Sequence, residues 1–310
     1  MKCLIAISLL AAFLLGDAPA FAGLDPAAVG WGNLFVPGLG ATLRGRPGVG
    51  LREAGLELGT YFGGTYGVRE GDFSIDGSVT VPNSAHLSKP VLGQSLQEFG
   101  LKYHFYNTFY HYQQAALEAK DTEREKNNPQ PLYTGTWKDM LLAPFEWKNL
   151  SSPWVYSLVI ASSAYLIYDY QHTAVSRFNF SVSNGNEALY GFSQMAVIPV
   201  TGALGEEPLF RGFVMRETRS YTGSALAALL IESGMFMLVH PSDLKASGFL
   251  SGMYFGIMTN HFDGNIEPAI AAHFWVNVVD GLVTYWTLRR SQGKGTPFAP
   301  PVVGSVTIPF

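Results

Sequence analysis

The sequence predicts an all-α membrane protein, a multi-helix transmembrane bundle with a less regular, membrane-associated N-terminal region. Three observations carry that expectation. Of the 310 residues, 47% are hydrophobic and only 14% charged, against about 25% charged in a typical soluble domain. After Pro153 the chain runs through successive long apolar stretches, at 154–168, 188–205, 222–239, 246–259 and 268–288. These stretches lack the strict alternation of a barrel strand, and in lipid only helices and closed barrels satisfy their own backbone groups. The aromatic content of 14% excludes a disordered chain, and a formal net charge of −4 excludes a general nucleic-acid binder.

Taken in order, residues 1–22 have the layout of a secretory signal peptide. Lys2 precedes an apolar run over 4–15, and Ala20-Phe21-Ala22 supplies an A-x-A cleavage site. The rival is an uncleaved anchor, for which the run is short of the ~20 residues a span needs. The single cysteine, Cys3, lies in this segment. Cleavage leaves no disulfide, no cysteine-ligated zinc and no thiol nucleophile.

Residues 23–150 form an N-terminal region whose function the sequence does not disclose. Val36-Pro37-Gly38-Leu39-Gly40 beside Arg44, Arg46 and Arg52 suggests a phosphate cradle, but no GK[ST] follows. The apolar, glycine-laden run over 54–68 reads as a short membrane hairpin or an interfacial helix. Weak alternation over 70–100, as in Phe73-Ser74-Ile75-Asp76 and Val79-Thr80-Val81, suits a small strand pair outside the membrane. His104 and His111 are seven apart on one helical face, a spacing open to a metal. The aromatics crowded over 103–112 favour an interfacial belt instead. Asn127-Asn128-Pro129-Gln130-Pro131 then marks the best domain boundary.

Residues 151–290 make the bundle, and 291–310 are a tail. Ionisable groups are expensive at mid-membrane, about 2.5–3.5 kcal/mol each on insertion scales, so the few present stand out. They fall largely into three clusters: Gly205-Glu206-Glu207-Pro208-Leu209-Phe210-Arg211-Gly212, Phe236-Met237-Leu238-Val239-His240, and His273-Phe274-Trp275-Val276-Asn277. Glu207 and Arg211 are four apart and share a helical face, leaving Glu206 rotated away; His273 and Asn277 are also four apart. Two carboxylates, two imidazoles and an amide in apolar surroundings can supply a base for water and donors for an oxyanion. Taken singly, each group has a plainer reading: a helix-bracing ion pair at Glu207 and Arg211, a helix-end cap at His240, interhelical hydrogen bonds at His273 and Asn277. Glu232 lies outside the clusters without an assigned role, and His261 and Asp263 are expected in a solvated loop.

The three clusters, in this order, resemble the EExxxR, FxxxH and HxxxN motifs of the CPBP family, which comprises CAAX prenyl endopeptidases and bacteriocin-processing membrane proteases. The resemblance covers about residues 150–290. It implies a glutamate-dependent intramembrane endopeptidase in which Glu206 and His240 activate water and His273 with Asn277 hold the oxyanion. Arg211 and Phe236 orient the site, as does Glu207, which shares the base role in a variant of the scheme. It implies no cofactor in the favoured form; a zinc-dependent form would use Glu206, His240 and His273 as ligands. The implied partners are a lipid bilayer and a membrane protein or peptide substrate, with no nucleic acid. The implied location is a bacterial inner membrane, crossed several times. The alternative is a non-catalytic relative that binds or sequesters a peptide or scaffolds an envelope complex. Orientation is contradictory: Arg211, Arg216 and Arg219 place the loop after the glutamates on the cytoplasmic side, whereas Arg289 and Arg290 close the last helix on the opposite one, so one segment is expected to be re-entrant or partial.

Overall fold

A computed structural model describes residues 24–69, 88–172, 184–240 and 245–291, and every regular element in them is a helix. The signal segment, residues 73–81 and the tail beyond 291 lie outside the described residues. Where the anticipated strand pair overlaps them, over 88–100, the chain is helical instead. Weak alternation and turn formers suggest strands there, but residues 88–100 open a long helix packed on its neighbours.

The N-terminal region contributes α1 (Pro26–Phe35), α2 (Leu39–Leu43), α3 (Pro47–Arg69), α4 (Ser88–Glu118), α5 (Glu123–Lys126), α6 (Trp137–Leu142) and, after a 3-10 turn, α7 (Trp147–Leu150). Local chemistry sets several starts. Asp25 accepts from the Ala27 N–H ahead of Pro26, and Thr136 with Asp139 forms a reciprocal capping box at α6. The apolar stretches after Pro153 become α8 (Pro153–His172), α9 (Asn184–Phe192), α10 (Ile198–Glu207), α12 (Ala225–Leu238), α13 (Lys245–His261) and α14 (Glu267–Ser291), with α11 (Arg216–Thr222) before α12.

Helix α9 runs into α10 through a π turn at Ser193–Val197, and α10 into α11 through a second at Pro208–Met215. Both have a local cause. Pro199 and Pro208 lack the N–H that an α-helix would donate four residues back, so the ladder widens around them. The second π turn begins immediately after Glu206 and Glu207.

Helix α4 joins the two halves of the chain, packing on α1, α3 and α10, while α10 packs on α14 and α12 on α13. The core runs along these contacts through Phe105, Phe109 and Tyr112 of α4, Phe210, Phe213, Phe236, Ile270 and Phe274. This corrects the aromatic-belt reading of 103–112: three of those rings are buried. Nor do the two histidines converge on a metal. His104 pairs with Glu57 at 2.8 Å and His111 with Glu53 at 2.8 Å, two separate glutamates of α3.

Among the described residues no helix is long and apolar enough to cross a membrane. The apolar stretches are diluted by polar side chains, as in α8, where Ser157, Ser162, Ser163, Tyr165 and Asp169 interrupt the aliphatics. Besides the apolar core, the bundle nonetheless buries charge and exposes large apolar side chains. Glu57, Lys102, Glu206, Glu207, Arg211, Arg216, Glu217 and Glu232 are buried, whereas Leu56, Phe62, Ile160, Phe192, Leu226, Leu238, Leu250 and Ile257 are exposed. Arg211 and Arg216 are therefore no guide to orientation, since each is ion-paired inside the bundle.

Candidate active site

The site lies where the end of α10 meets α4, α12, α13 and α14. The helical phase read from the sequence places Glu206 and Glu207 on different faces, and each finds a different partner. Glu207 is fully buried and accepts from His273 Nδ1 at 2.7 Å through Oε1. The same oxygen accepts from Arg211 at 3.3 Å, and the Arg211 Nε stands 3.3 Å from Glu207 Oε2.

Arg211 itself is held on all sides. Its Nε lies 3.0 Å from Glu232 Oε1, a further terminal nitrogen donates to the Gly252 carbonyl at 3.2 Å, and the guanidinium sits 4.3 Å from the centre of the Phe236 ring. Glu232, the acid without a role in the sequence, is thus the second carboxylate on Arg211, and Ser233 donates to its other oxygen at 3.2 Å. Its signal was legible as a mid-helix acid in an apolar run; its partner was not.

Because a carboxylate only accepts, the His273 Nδ1 facing Glu207 carries a proton. Its Nε2 points the other way and lies 3.8 Å from Glu206 Oε2. His240 Nδ1 is 2.7 Å from the Phe236 carbonyl, which likewise only accepts. That fixes the His240 proton on Nδ1 and leaves Nε2 as a lone pair in the neutral ring. The His240 ring lies 4.6 Å from the Phe236 ring, which is itself 6.2 Å from the His273 ring. Phe236 therefore serves twice, covering Arg211 with its ring and fixing His240 with its carbonyl.

Two glycines make room for this arrangement. Gly202 lies one turn before Glu206, and a Cβ there would stand 3.1 Å from Asn277 Nδ2 and 3.8 Å from His273 Nε2. A Cβ on Gly248 would meet the His240 ring at 3.1 Å. The geometry thus gathers Glu206, Glu207, Arg211, Phe236, His240, His273 and Asn277 into one place. His261 and Asp263 stay outside and exposed, with His261 against the Trp154 ring at 5.1 Å.

Glu206 has two unlike oxygens. Oε1 accepts from the Lys102 ammonium of α4, while Oε2 is buried without a hydrogen-bond partner and faces His273. Lys102 was not identified from the sequence; no motif marks it. Beside it an apolar cavity of about 330 Å³ is lined by Phe99, Tyr103 and Tyr106 of α4, Trp137 and Met140 of α6, and Leu204 and Gly205 of α10, among others.

Residues 188–279 match the family model of type II CAAX prenyl endopeptidases, Rce1-like. This segment is Rce1-like. The match is consistent with the CPBP resemblance carried by the three motifs. No curated protein and no solved structure matches the chain. The Rce1-like segment contains Glu206 to Asn277 and excludes Lys102, which reaches the site from the N-terminal region.

As for zinc, among the described residues no three histidine, cysteine, aspartate or glutamate side chains stand close enough together to hold a metal ion. Glu206, His240 and His273 are therefore not drawn together as a three-ligand metal set in this geometry.

Proposed function

We propose that the chain is a membrane-embedded endopeptidase that hydrolyses a peptide bond in a membrane-associated protein or peptide. The observation that carries this reading is the unpartnered Glu206 Oε2, a buried acceptor facing His273 Nε2 across 3.8 Å, with Asn277 beside it. A buried polar atom with no partner costs free energy, about 1–3 kcal/mol, and such groups call for a functional account.

In the proposed reaction a water seated against Glu206 Oε2 gives up a proton as its oxygen attacks the scissile carbonyl carbon. Glu206 and the lone pair of His240 share the task of accepting that proton. The carbonyl oxygen gains charge and is held by donors from Asn277 and His273. For His273 this requires a proton on Nε2 as well as on Nδ1, an imidazolium whose counter-ion is Glu207. Collapse of the tetrahedral intermediate breaks the C–N bond, and the proton taken from water passes to the leaving amine.

The bilayer reading is supported by the many large apolar side chains exposed along these helices together with the charged groups buried between them. In it, helices α3, α4, α8 to α10 and α12 to α14 share the burial in lipid of an inner membrane. The cavity beside Lys102 would take the apolar part of the substrate, whose chemistry suits a wall of aromatic and aliphatic side chains.

Glu206→Ala, His240→Ala and His273→Ala test the mechanism, with cleavage assayed on a peptide library in detergent. Each is expected to abolish cleavage and leave membrane insertion unchanged. Wild-type activity in all three contradicts the mechanism. Peptide binding by the wild type without any cleavage would favour a sequestering role instead.

A further inference from the structure

We propose that Lys102, supplied by α4 from outside the Rce1-like segment, is a positioning residue that selects which oxygen of Glu206 acts on water. This rests on the proteolytic reading of Glu206 given above. The ammonium is bonded to Glu206 Oε1 and stands 3.8 Å from Glu98 Oε2, one turn earlier on its own helix. Both the lysine and Glu206 are buried. A lysine is almost never fully buried unless paired, so the ammonium and the carboxylate hold each other in place.

The contact depends on an unusually close helix crossing. A Cβ at position 205 would lie 2.6 Å from the Lys102 carbonyl oxygen and 2.7 Å from its Cβ. Only glycine lets the α10 backbone approach α4 there, and Glu206 is the next residue. The Phe105 ring, 5.3 Å from the ammonium, closes another side. A carboxylate on a flexible side chain could otherwise present either oxygen to the site. With Oε1 committed to Lys102, Oε2 alone faces His273, and the base has one orientation. The N-terminal region is then part of the active site rather than an appendage to it.

The test compares Lys102→Met, Lys102→Arg and Glu206→Gln, alone and combined, as full-length protein in detergent, with kcat and KM measured separately. Since a small misplacement of a catalytic group can cost about 100-fold, Lys102→Met is expected to lower kcat by roughly that factor with KM held. Lys102→Arg is expected to recover most of the loss, because a cation is restored. In the Glu206→Gln background, where cleavage is abolished, thermal unfolding is read instead: Lys102→Met is expected to cost no further stability, since both break one ion pair, whereas a general structural defect would add a further loss. Where Lys102→Met does not fold, Lys102→Gln keeps a donor without the charge, and a partial fall in kcat is expected. A wild-type kcat in the neutral variants overturns the proposal, as does a loss confined to KM, which would make Lys102 a substrate-binding group. If Glu206→Gln itself retains full activity, the proteolytic reading fails before this one.

Discussion

Glu207 accepts from His273 Nδ1 at 2.7 Å, and through that contact the second glutamate of the motif becomes the orienter of a histidine 66 residues away. The carboxylate fixes the ring so that Nε2 faces the reaction space. The expected result of Glu207→Gln is a fall in kcat of roughly 100-fold or more, because the imidazolium loses its counter-ion while the side-chain volume is kept. Steady-state kinetics with helicity checked by circular dichroism measures this. Undiminished kcat would assign Glu207 to bracing alone.

Arg211 bridges Glu207, Glu232 and the Gly252 carbonyl at once, under the Phe236 ring. Lysine is a point charge without the planar fork and cannot make all three contacts. Arg211→Met is expected to destabilise the bundle by about 3–5 kcal/mol, the usual cost of breaking a buried pair from one side, and Arg211→Lys by less, since the charge is kept. Thermal unfolding in detergent reads the loss. Adding Glu232→Gln to Arg211→Met should recover part of it, since one unpaired buried carboxylate is removed; no recovery would mean that Glu232 and Arg211 are not energetically linked.

Gly202 separates stability from activity. Alanine replaces glycine in a helix interior with a gain of about 1 kcal/mol, but here the new methyl would stand 3.1 Å from Asn277 Nδ2. Gly202→Ala should unfold at the same or a higher temperature and cleave more slowly, and Gly202→Leu should be inactive. Full activity in the leucine variant would place the substrate away from Asn277.

Chelators give a fourth check. With no three suitable ligands close together among the described residues, incubation with 1,10-phenanthroline or EDTA should leave the cleavage rate unchanged. Inactivation reversed by added zinc would contradict the metal-free scheme.

The clusters at 206–211, 236–240 and 273–277 were readable in the sequence because ionisable groups are conspicuous in apolar stretches and four-residue spacings fix a helical face. The all-helical architecture followed from the same stretches. Lys102 was not readable: it lies in a helix of mixed composition, 104 residues from its partner, and only the glycine-permitted crossing at Gly205 brings the two together. Glu232 was visible as an anomaly, but a mid-helix acid does not name its partner. Gly202 was a missed signal of another kind, since its place one turn before Glu206 put it on the same helical face. His104 and His111 shared a face as their spacing requires, yet the opposing helix offered each its own glutamate. Packing between distant segments, which periodicity within a segment cannot reveal, separates what was read from what was not.

The most direct test of the central claim is a comparison of protein termini in membrane fractions from cells carrying the wild type and cells carrying Glu206→Gln at equal abundance. The account predicts membrane-associated proteins or peptides with internal termini in the wild type that persist uncut in the variant. Identical termini in the two fractions would contradict it.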